Sequence, residues 1–424
     1  MPKKPLLKLN SFFSGIGGFD LAFDQIGIKP VFHCENNEFC ISILKKHWPD
    51  AILANDIIKI DSKLIPNAEI WTGGFPCQDV SVARGWLGRD GLKGKNTGLF
   101  YPFSLLIKKY LPKVVLMENV TGLLNSHSGK DFGIILSTFN DMGYGVAWRI
   151  LNTRYYGAPQ SRPRVYICAF RGSSISALNV LFENGTNTSD IENPRLGFIN
   201  KCKKTKNGAI VPKVAFCLAA TSGRHTGTDW SRSYVSYFAQ VRRLTPTECE
   251  KLQGFPHGWT LPKSVELDKI DSKRYQAIGN AVSVPVAKWI ALRIHNKLNS
   301  SKSSADLILN NEFDEINQAR KIVPQFSSKN SVIIELNDCL NNGSNMKWKS
   351  GGLMLKSKCI MAPVQQMPIT PIQSSFGEIL DKKKPDNQYF LSPNAAIGIL
   401  RRVKSQNRTL FKPLELALNR LSEK

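Results

Sequence analysis

Between residues 6 and about 170, short runs rich in β-branched and aromatic residues alternate with helical patterns. LLKLNSFF, PVFHCE, AEIWTGG, KVVLMEN and RVYICAF read as strands. LAFDQIG, FCISILKKHW, LFYPFSLLIKKY and FGIILSTFNDMG read as the helices between them. Strand–helix alternation of this kind predicts an α/β fold with a wound, mostly parallel sheet. Ligands of such sheets sit beyond the carboxyl ends of the strands, where this chain also places its glycine-rich turns.

Beyond residue 170 the patterning changes. Residues 171–240 are rich in Asn, Ser, Thr, Gly and Lys and carry little periodicity, as irregular surface segments do. Regular patterning returns at RRLTPTECEKLQGFPHGW (242–259) and RYQAIGNAVSVPVAKWIALRIHNKL (274–298). SSKSSAD then reads as a linker, and the rest closes with two helical stretches. The first of these has Ser392 as N-cap and Pro393 at the first helical position. The divisions expected are a ligand-binding domain over 1–170, a distinct region over 171–260, a returning segment over 261–300 and a C-terminal extension over 301–424.

Charge restricts the partners. Lys and Arg number 57 against 33 Asp and Glu, a net +24 that favours a polyanion. Lys8 and Asn10 interrupt any signal-peptide core, and no apolar run approaches the ~18 residues a membrane span needs. The nine cysteines are scattered without a CxxC pair and the six histidines form no ligand-spaced cluster. A reduced, cytoplasmic protein without metal or membrane is expected.

FFSGIGGFD (12–20) follows the first strand and opens a helix. Gly15, Gly17 and Gly18 allow a sharp turn and close approach of a ligand. Glu35, twenty residues after Gly15, ends the second strand where an acid can bind ribose hydroxyls. Asp20 stands where a dinucleotide fingerprint wants its third glycine, which disfavours pyrophosphate and suits a positively charged cofactor. Taken alone, the turn fits either a nucleotide-type cofactor or a merely tight bend. Asp56, ending the third strand in NDI, adds an acid suited to an adenine amino group.

The reactive features lie at the same sheet edge. In GGFPCQDVS (73–81), Cys77 follows Pro76 and two glycines, more backbone control than a buried structural cysteine needs. Glu118, in MENV, terminates the strand KVVLM as a catalytic acid or an ordinary cap. Arg162 and Arg164 of QSRPR are two apart on an extended segment, so both can face one side and hold a phosphate or carboxylate; a solvated basic strand is the alternative.

Taken in series, FSGIGGFD, CENN, NDI, GGFPCQDVS, MENV, QSRPR, RRLTPTECEKLQGFP and RYQAIGNAVSVPVA resemble the DNA cytosine-5 methyltransferase family, of the bacterial or phage restriction-modification type, over roughly residues 8–298. The resemblance implies a Rossmann-like S-adenosylmethionine-dependent methyltransferase fold with a smaller target-recognition domain. Phe13, Gly15, Gly17, Glu35, Asp56, Ile57, Pro76, Leu99 and Asn280 would bind S-adenosyl-L-methionine. Cys77 would be the nucleophile, with Glu118, Arg162 and Arg164 contacting the cytosine and its phosphate surroundings. Gln78 and Ser81 would support the loop and the DNA backbone. Residues 171–240 take the position of the target-recognition region. Its most DNA-like piece, GRHTGTDWSRSY (223–234), offers Arg224 and Arg232, though a plain surface loop also fits. The long VARGWLGRDGLKGKNTGLF after Cys77 fits a mobile closing loop or a disordered insertion. The closing residues loosely resemble helical tails on phage and prophage methyltransferases.

A monomer acting on double-stranded DNA is expected, flipping its target base out of the helix. The rivals are a tRNA cytosine-5 methyltransferase on the same motifs, a non-catalytic DNA-binding regulator, and a nicotinamide oxidoreductase, which Asp20 and the GFPCQ–ENV pair disfavour.

Overall fold

A computed structural model describes residues 6–76, 97–185, 202–205, 208–223, 228–262, 270–300, 312–341 and 346–424. Its strands are β1 (Lys8–Phe12), β2 (Lys29–Cys34), β3 (Ile52–Ala54), β4 (Ile70–Gly73), β5 (Val114–Val120), β6 (Tyr144–Asn152) and β7 (Pro163–Arg171). They continue with β8 (Cys202–Lys204), β9 (Ile210–Pro212), β10 (Tyr234–Ser236), β11 (Val241–Arg243), β12 (Val332–Glu335), β13 (Gly351–Leu355) and β14 (Lys358–Ala362). The chain divides into two units: Met1–Asn152 with Pro163–Asp190 and Val286–Thr370, and Thr153–Arg162 with Ile191–Pro285 and Pro371–Lys424.

The first unit is built on one ten-stranded sheet in the order β12-β14-β13-β6-β7-β5-β4-β1-β2-β3. β3, β2, β1, β4 and β5 are mutually parallel, and β7 reverses against both β5 and β6. With β14 antiparallel to β13 and β13 antiparallel to β6, seven of the ten strands point the same way. The expected α/β fold with a mostly parallel sheet is what forms. The central strands are buried along their lengths, which is why they read as unbroken apolar runs rather than alternations. The helix Phe100–Tyr110 buries Phe100, Phe103 and Ile107, spaced for one face, and Phe103 packs 5.0 Å from Phe12. Burying one such ring is worth about 1.5–3 kcal/mol, so these contacts fix the helix against β1 and β4.

Two features depart from the sequence expectation. β6 is not among the expected strands, although YGVAWRILN carries β-branched and aromatic residues between glycine-led turns. The stretch 301–424 is also divided between the two units. Residues up to 370 join the first unit, and 371–424 join the second. β13 and β14 form a hairpin around Lys356 and Ser357, a pair without the Asn-Gly signature of tight hairpins. β13 then pairs with β6 from Gly351↔Arg149 to Met354↔Val146. The fully buried Arg149 anchors the chain beyond β14 by donating to the carbonyls of Gln365 and Met367, and it also donates to that of Leu181.

The second unit carries a four-stranded antiparallel sheet in the order β11-β10-β9-β8. Its helix Pro246–Gln253 begins with a capping box in which Thr245 and Glu248 satisfy each other's backbone N–H groups. Glu248 also holds Arg242 bidentately at 2.8 and 2.9 Å, with both side chains fully buried.

Candidate active site

In the first unit, β1 is flanked by β2 on one side and β4 on the other, so the chain winds outward in both directions from it. Crevices open beyond the carboxyl ends of strands at such switch points. The Phe13–Gly17 turn leaves β1 there. Phe13, Gly15 and Gly17 all have positive φ, at 53, 56 and 81°. A Cβ on Gly17 would meet the Trp48 ring at 2.4 Å, so that glycine is required by packing as well as by conformation. A Cβ on Gly15 would meet nothing within 4 Å, which leaves open space in front of the turn.

Glu35 follows β2 and reaches back to that turn. Its Oε2 accepts the Gly15 N–H at 2.7 Å, and its Oε1 accepts those of Asn36 and Asn37 at 3.0 and 2.8 Å. Burial pushes its carboxyl above the ordinary range, while the three backbone donors pull the other way. Half-buried Asp56 lies after β3, where its Oδ1 accepts the Ile58 N–H at 2.9 Å beside buried Ile57. Phe13 meets Phe103 edge-on at 5.8 Å, and half-buried Leu99 ends the turn that starts the Phe103 helix. Asp20 does not face this space. It is fully buried, taking the Ser11 hydroxyl on Oδ2 at 3.0 Å, with His33 Nε2 3.0 Å from its Oδ1. The idea that Asp20 tunes the pocket for a cationic cofactor is therefore corrected: the acid is a strut beneath the turn.

The reactive elements gather on the neighbouring strands. Glu118 stands near the carboxyl end of β5 and Arg164 at the start of antiparallel β7. Glu118 pairs with Tyr166 and Val120 with Arg164, so Glu118 and Arg164 are diagonal neighbours on one face. Arg164 Nε lies 3.2 Å from Glu118 Oε1, with 14% and 11% of the two side chains exposed. Arg164 also donates from Nη1 to the Pro163 carbonyl at 2.8 Å, which fixes the guanidinium beside the carboxylate. Buried Asn119, which the sequence reading passed over, donates from Nδ2 to the Phe75 carbonyl at 3.2 Å. It thereby ties the Gly74–Pro76 turn to β5, and its place inside MENV was the available signal. Cys77, Gln78, Ser81 and Arg224 lie outside the described residues, Pro76 being the last described residue before the thiol.

Burial pushes the Cys34 thiol up to about 12, with Glu35 and Asp56 adding to the shift. It also raises Cys40, Cys168 and Cys249. These four stay protonated at neutral pH and are unfit as nucleophiles.

The second unit holds the other assigned residues. Arg162 is 2% exposed, and its guanidinium donates to the carbonyls of Leu218 at 2.9 Å, Gly279 at 3.1 Å and Ala281 at 2.8 Å. Arg162 thus clamps the backbone on either side of Asn280, whose own side chain is exposed. Gln253 adds to the clamp from the helix end, donating to the Ile278 and Ala281 carbonyls. Arg232 is half-buried and donates to the Thr221 carbonyl at 2.6 Å and hydroxyl at 3.0 Å.

A family profile described as C-5 cytosine-specific DNA methylase matches residues 7–212 and 199–296. The chain belongs to the C-5 cytosine-specific DNA methylase family. The type II methyltransferase M1.ScrFI of Lactococcus lactis subsp. cremoris is 32% identical over 329 residues, which cover 70% of this chain and 79% of that protein. The type II methyltransferase M.NgoBI of Neisseria gonorrhoeae is also 32% identical, covering 66% and 90%. M.HhaI of Haemophilus parahaemolyticus is 26% identical, covering 69% and 95%. Among solved structures, the Entamoeba histolytica methyltransferase EhMeth matches with a TM-score of 0.53 at 20% identity, over 70% of this chain and all of that one. The Dnmt2 methyltransferase of S. pombe matches at 0.52 and 19%, over 69% and all. These likenesses carry the fold. As a C-5 methylase, the chain is a methyltransferase of an S-adenosyl-L-methionine-dependent family. No group of three or more His, Cys, Asp or Glu among the described residues could hold a metal, and no described helix is long and apolar enough to cross a membrane.

Proposed function

We propose that the protein is a DNA (cytosine-5-)-methyltransferase that methylates a flipped-out cytosine within a specific duplex sequence through a covalent adduct to Cys77. The observation that supports it best is the Glu118–Arg164 pair at the open sheet edge, next to the turn that leads into Cys77. The residues present suit S-adenosyl-L-methionine. The open space before Gly15 and the acids Glu35 and Asp56 match a ligand with ribose hydroxyls, an amino-bearing base and a cationic sulfur. Phe13, Gly15, Gly17, Glu35, Asp56, Ile57, Pro76 and Leu99 would hold it. Bound there, it supplies an electrophilic methyl group.

The chain's residues supply the rest. Cytosine carbon 5 is a poor nucleophile, and addition of the Cys77 thiolate to carbon 6 converts the ring into an enamine. Glu118 hydrogen-bonds the ring nitrogen 3 edge and favours its protonated form, while Arg164 holds the carboxylate in place. Carbon 5 then gains the methyl group. Loss of its proton and cleavage of the sulfur–carbon 6 bond restore the aromatic ring and the thiolate. Carbons 5 and 6 are stacked inside the duplex, so the base must leave the stack first. The +24 charge provides the sequence-independent part of binding.

Tritium transfer from labelled S-adenosylmethionine to duplex DNA and to tRNA tests this reading. Label is expected in DNA, and label in tRNA alone overturns it. Cys77→Ser is expected to abolish transfer and to lose the covalent adduct with DNA containing 5-fluorocytosine, while still binding DNA. Full activity in that variant refutes the mechanism.

A further inference from the structure

The chain closes with the helices Pro393–Ser405 and Lys412–Ser422, which the family match leaves uncovered. Within the second unit their apolar stripes, including Ile399, Val403, Leu414 and Leu418, share a core with Tyr234 of β10 and Val241 of β11. The segment entering β10 is the stretch whose composition suits reading of base edges, and among its described residues the regular structure is one three-residue turn, Asp229–Ser231. A turn that short has no persistence of its own, so its partners set its shape.

Those partners come from the closing helices. The Asp229 carboxylate is fully buried, with Oδ2 2.8 Å from Arg402 Nε and Oδ1 accepting the Tyr234 hydroxyl at 2.9 Å. Burial, and then Asp229 itself, push the Tyr234 hydroxyl up, so it remains a donor. Trp230 Nε1 donates to Gln406 Oε1 at 3.1 Å, and the Arg408 guanidinium lies 4.6 Å from the Trp230 ring centroid. Arg232 donates its backbone N–H to the Asp229 carbonyl at 3.2 Å and its guanidinium to Thr221. One carboxylate thus joins a closing helix, β10 and the segment between them.

We infer that the C-terminal helix pair governs target choice, with Arg402 as a positioning residue that holds residues 229–234 in the shape that reads DNA. The inference rests on the function proposed above and on residues 171–240 as the target-recognition region. A buried carboxylate that loses the cation held against it by a helix must find another partner or hydration, and the turn shifts with it.

The test uses the full chain. Methylated cytosines are mapped in DNA from cells expressing wild type, Arg402→Gln, Arg402→Lys and Gln406→Ala, and KM is measured for the duplex and for S-adenosylmethionine. Arg402→Gln is expected to lose roughly tenfold in discrimination against single-base mismatches, the scale of one base-pair reading. Its KM for the duplex should rise while that for S-adenosylmethionine holds, a split that general destabilisation does not produce. Arg402→Lys should restore most of the discrimination, and Gln406→Ala should shift it in the same direction by less. Wild-type discrimination and duplex KM in both Arg402→Gln and Gln406→Ala overturn the inference. If melting shows that Arg402→Gln does not fold, Gln406→Ala decides by the same criterion. A wild-type protein that leaves DNA unmethylated overturns the function reading and this one together, whereas altered variants are needed to sustain this one.

Discussion

Replacing Arg162 with methionine keeps length and bulk while removing every donor of the clamp. The carbonyls of Leu218, Gly279 and Ala281, all on buried residues, would each lose a charge-assisted hydrogen bond of 2.8–3.1 Å. Gln253 still donates to the Ala281 carbonyl, so two acceptors are left unsatisfied; each costs about 1–3 kcal/mol and the two are not additive, so roughly 2–4 kcal/mol is expected. For a unit of moderate size this corresponds to a fall in Tm of about 10 °C. Urea denaturation followed by circular dichroism and by tryptophan fluorescence measures it, with coincident transitions required before one free energy is assigned. Arg162→Lys should recover part of the stability but not all of it. A variant that keeps wild-type stability while losing methyl transfer would refute the clamp and return Arg162 to the substrate.

Gly17→Ala should lower stability and cofactor affinity together, since the new methyl meets the Trp48 ring at 2.4 Å and the residue sits at φ 81°; melting temperature and equilibrium dialysis report both. For Glu35, whose carboxyl is held above its ordinary range, the charged form that would accept ribose hydroxyls in the proposed site is present above the raised pKa and lost as pH falls through it. Cofactor affinity should therefore weaken on acidification earlier than an ordinary glutamate would dictate, and Glu35→Gln should flatten that dependence in calorimetric titrations. Truncation after residue 300 removes β13 from the edge of β6 and takes away the carbonyls of Gln365 and Met367 that Arg149 binds. Such a protein should aggregate or bind a hydrophobic dye, and a soluble truncated form with an unchanged Tm would contradict the shared sheet.

What could be read from the sequence was local. The turn after β1 needs positive φ at alternate positions, two of them glycines that show in FSGIGG, and Glu35 and Glu118 stand at strand ends that their own runs define. The order of motifs along the chain is enough to reveal the family, because each is a short contiguous piece of one sheet edge. The hairpin of β13 and β14 escaped because Lys356 and Ser357 carry no turn signature. Arg162 looked like a ligand for phosphate because its acceptors lie 56, 117 and 119 residues away, where no periodicity points to them. Asp20 looked like part of a pocket because Ser11 and His33, its partners, show no pattern linking them to it. A side chain's chemistry is written at its own position, but whether it faces a ligand or a backbone carbonyl depends on which distant segment folds against it. For the arginines of QSRPR, only the tertiary structure made that choice: Arg164 to the carboxylate of Glu118, and Arg162 to the carbonyls on either side of Asn280.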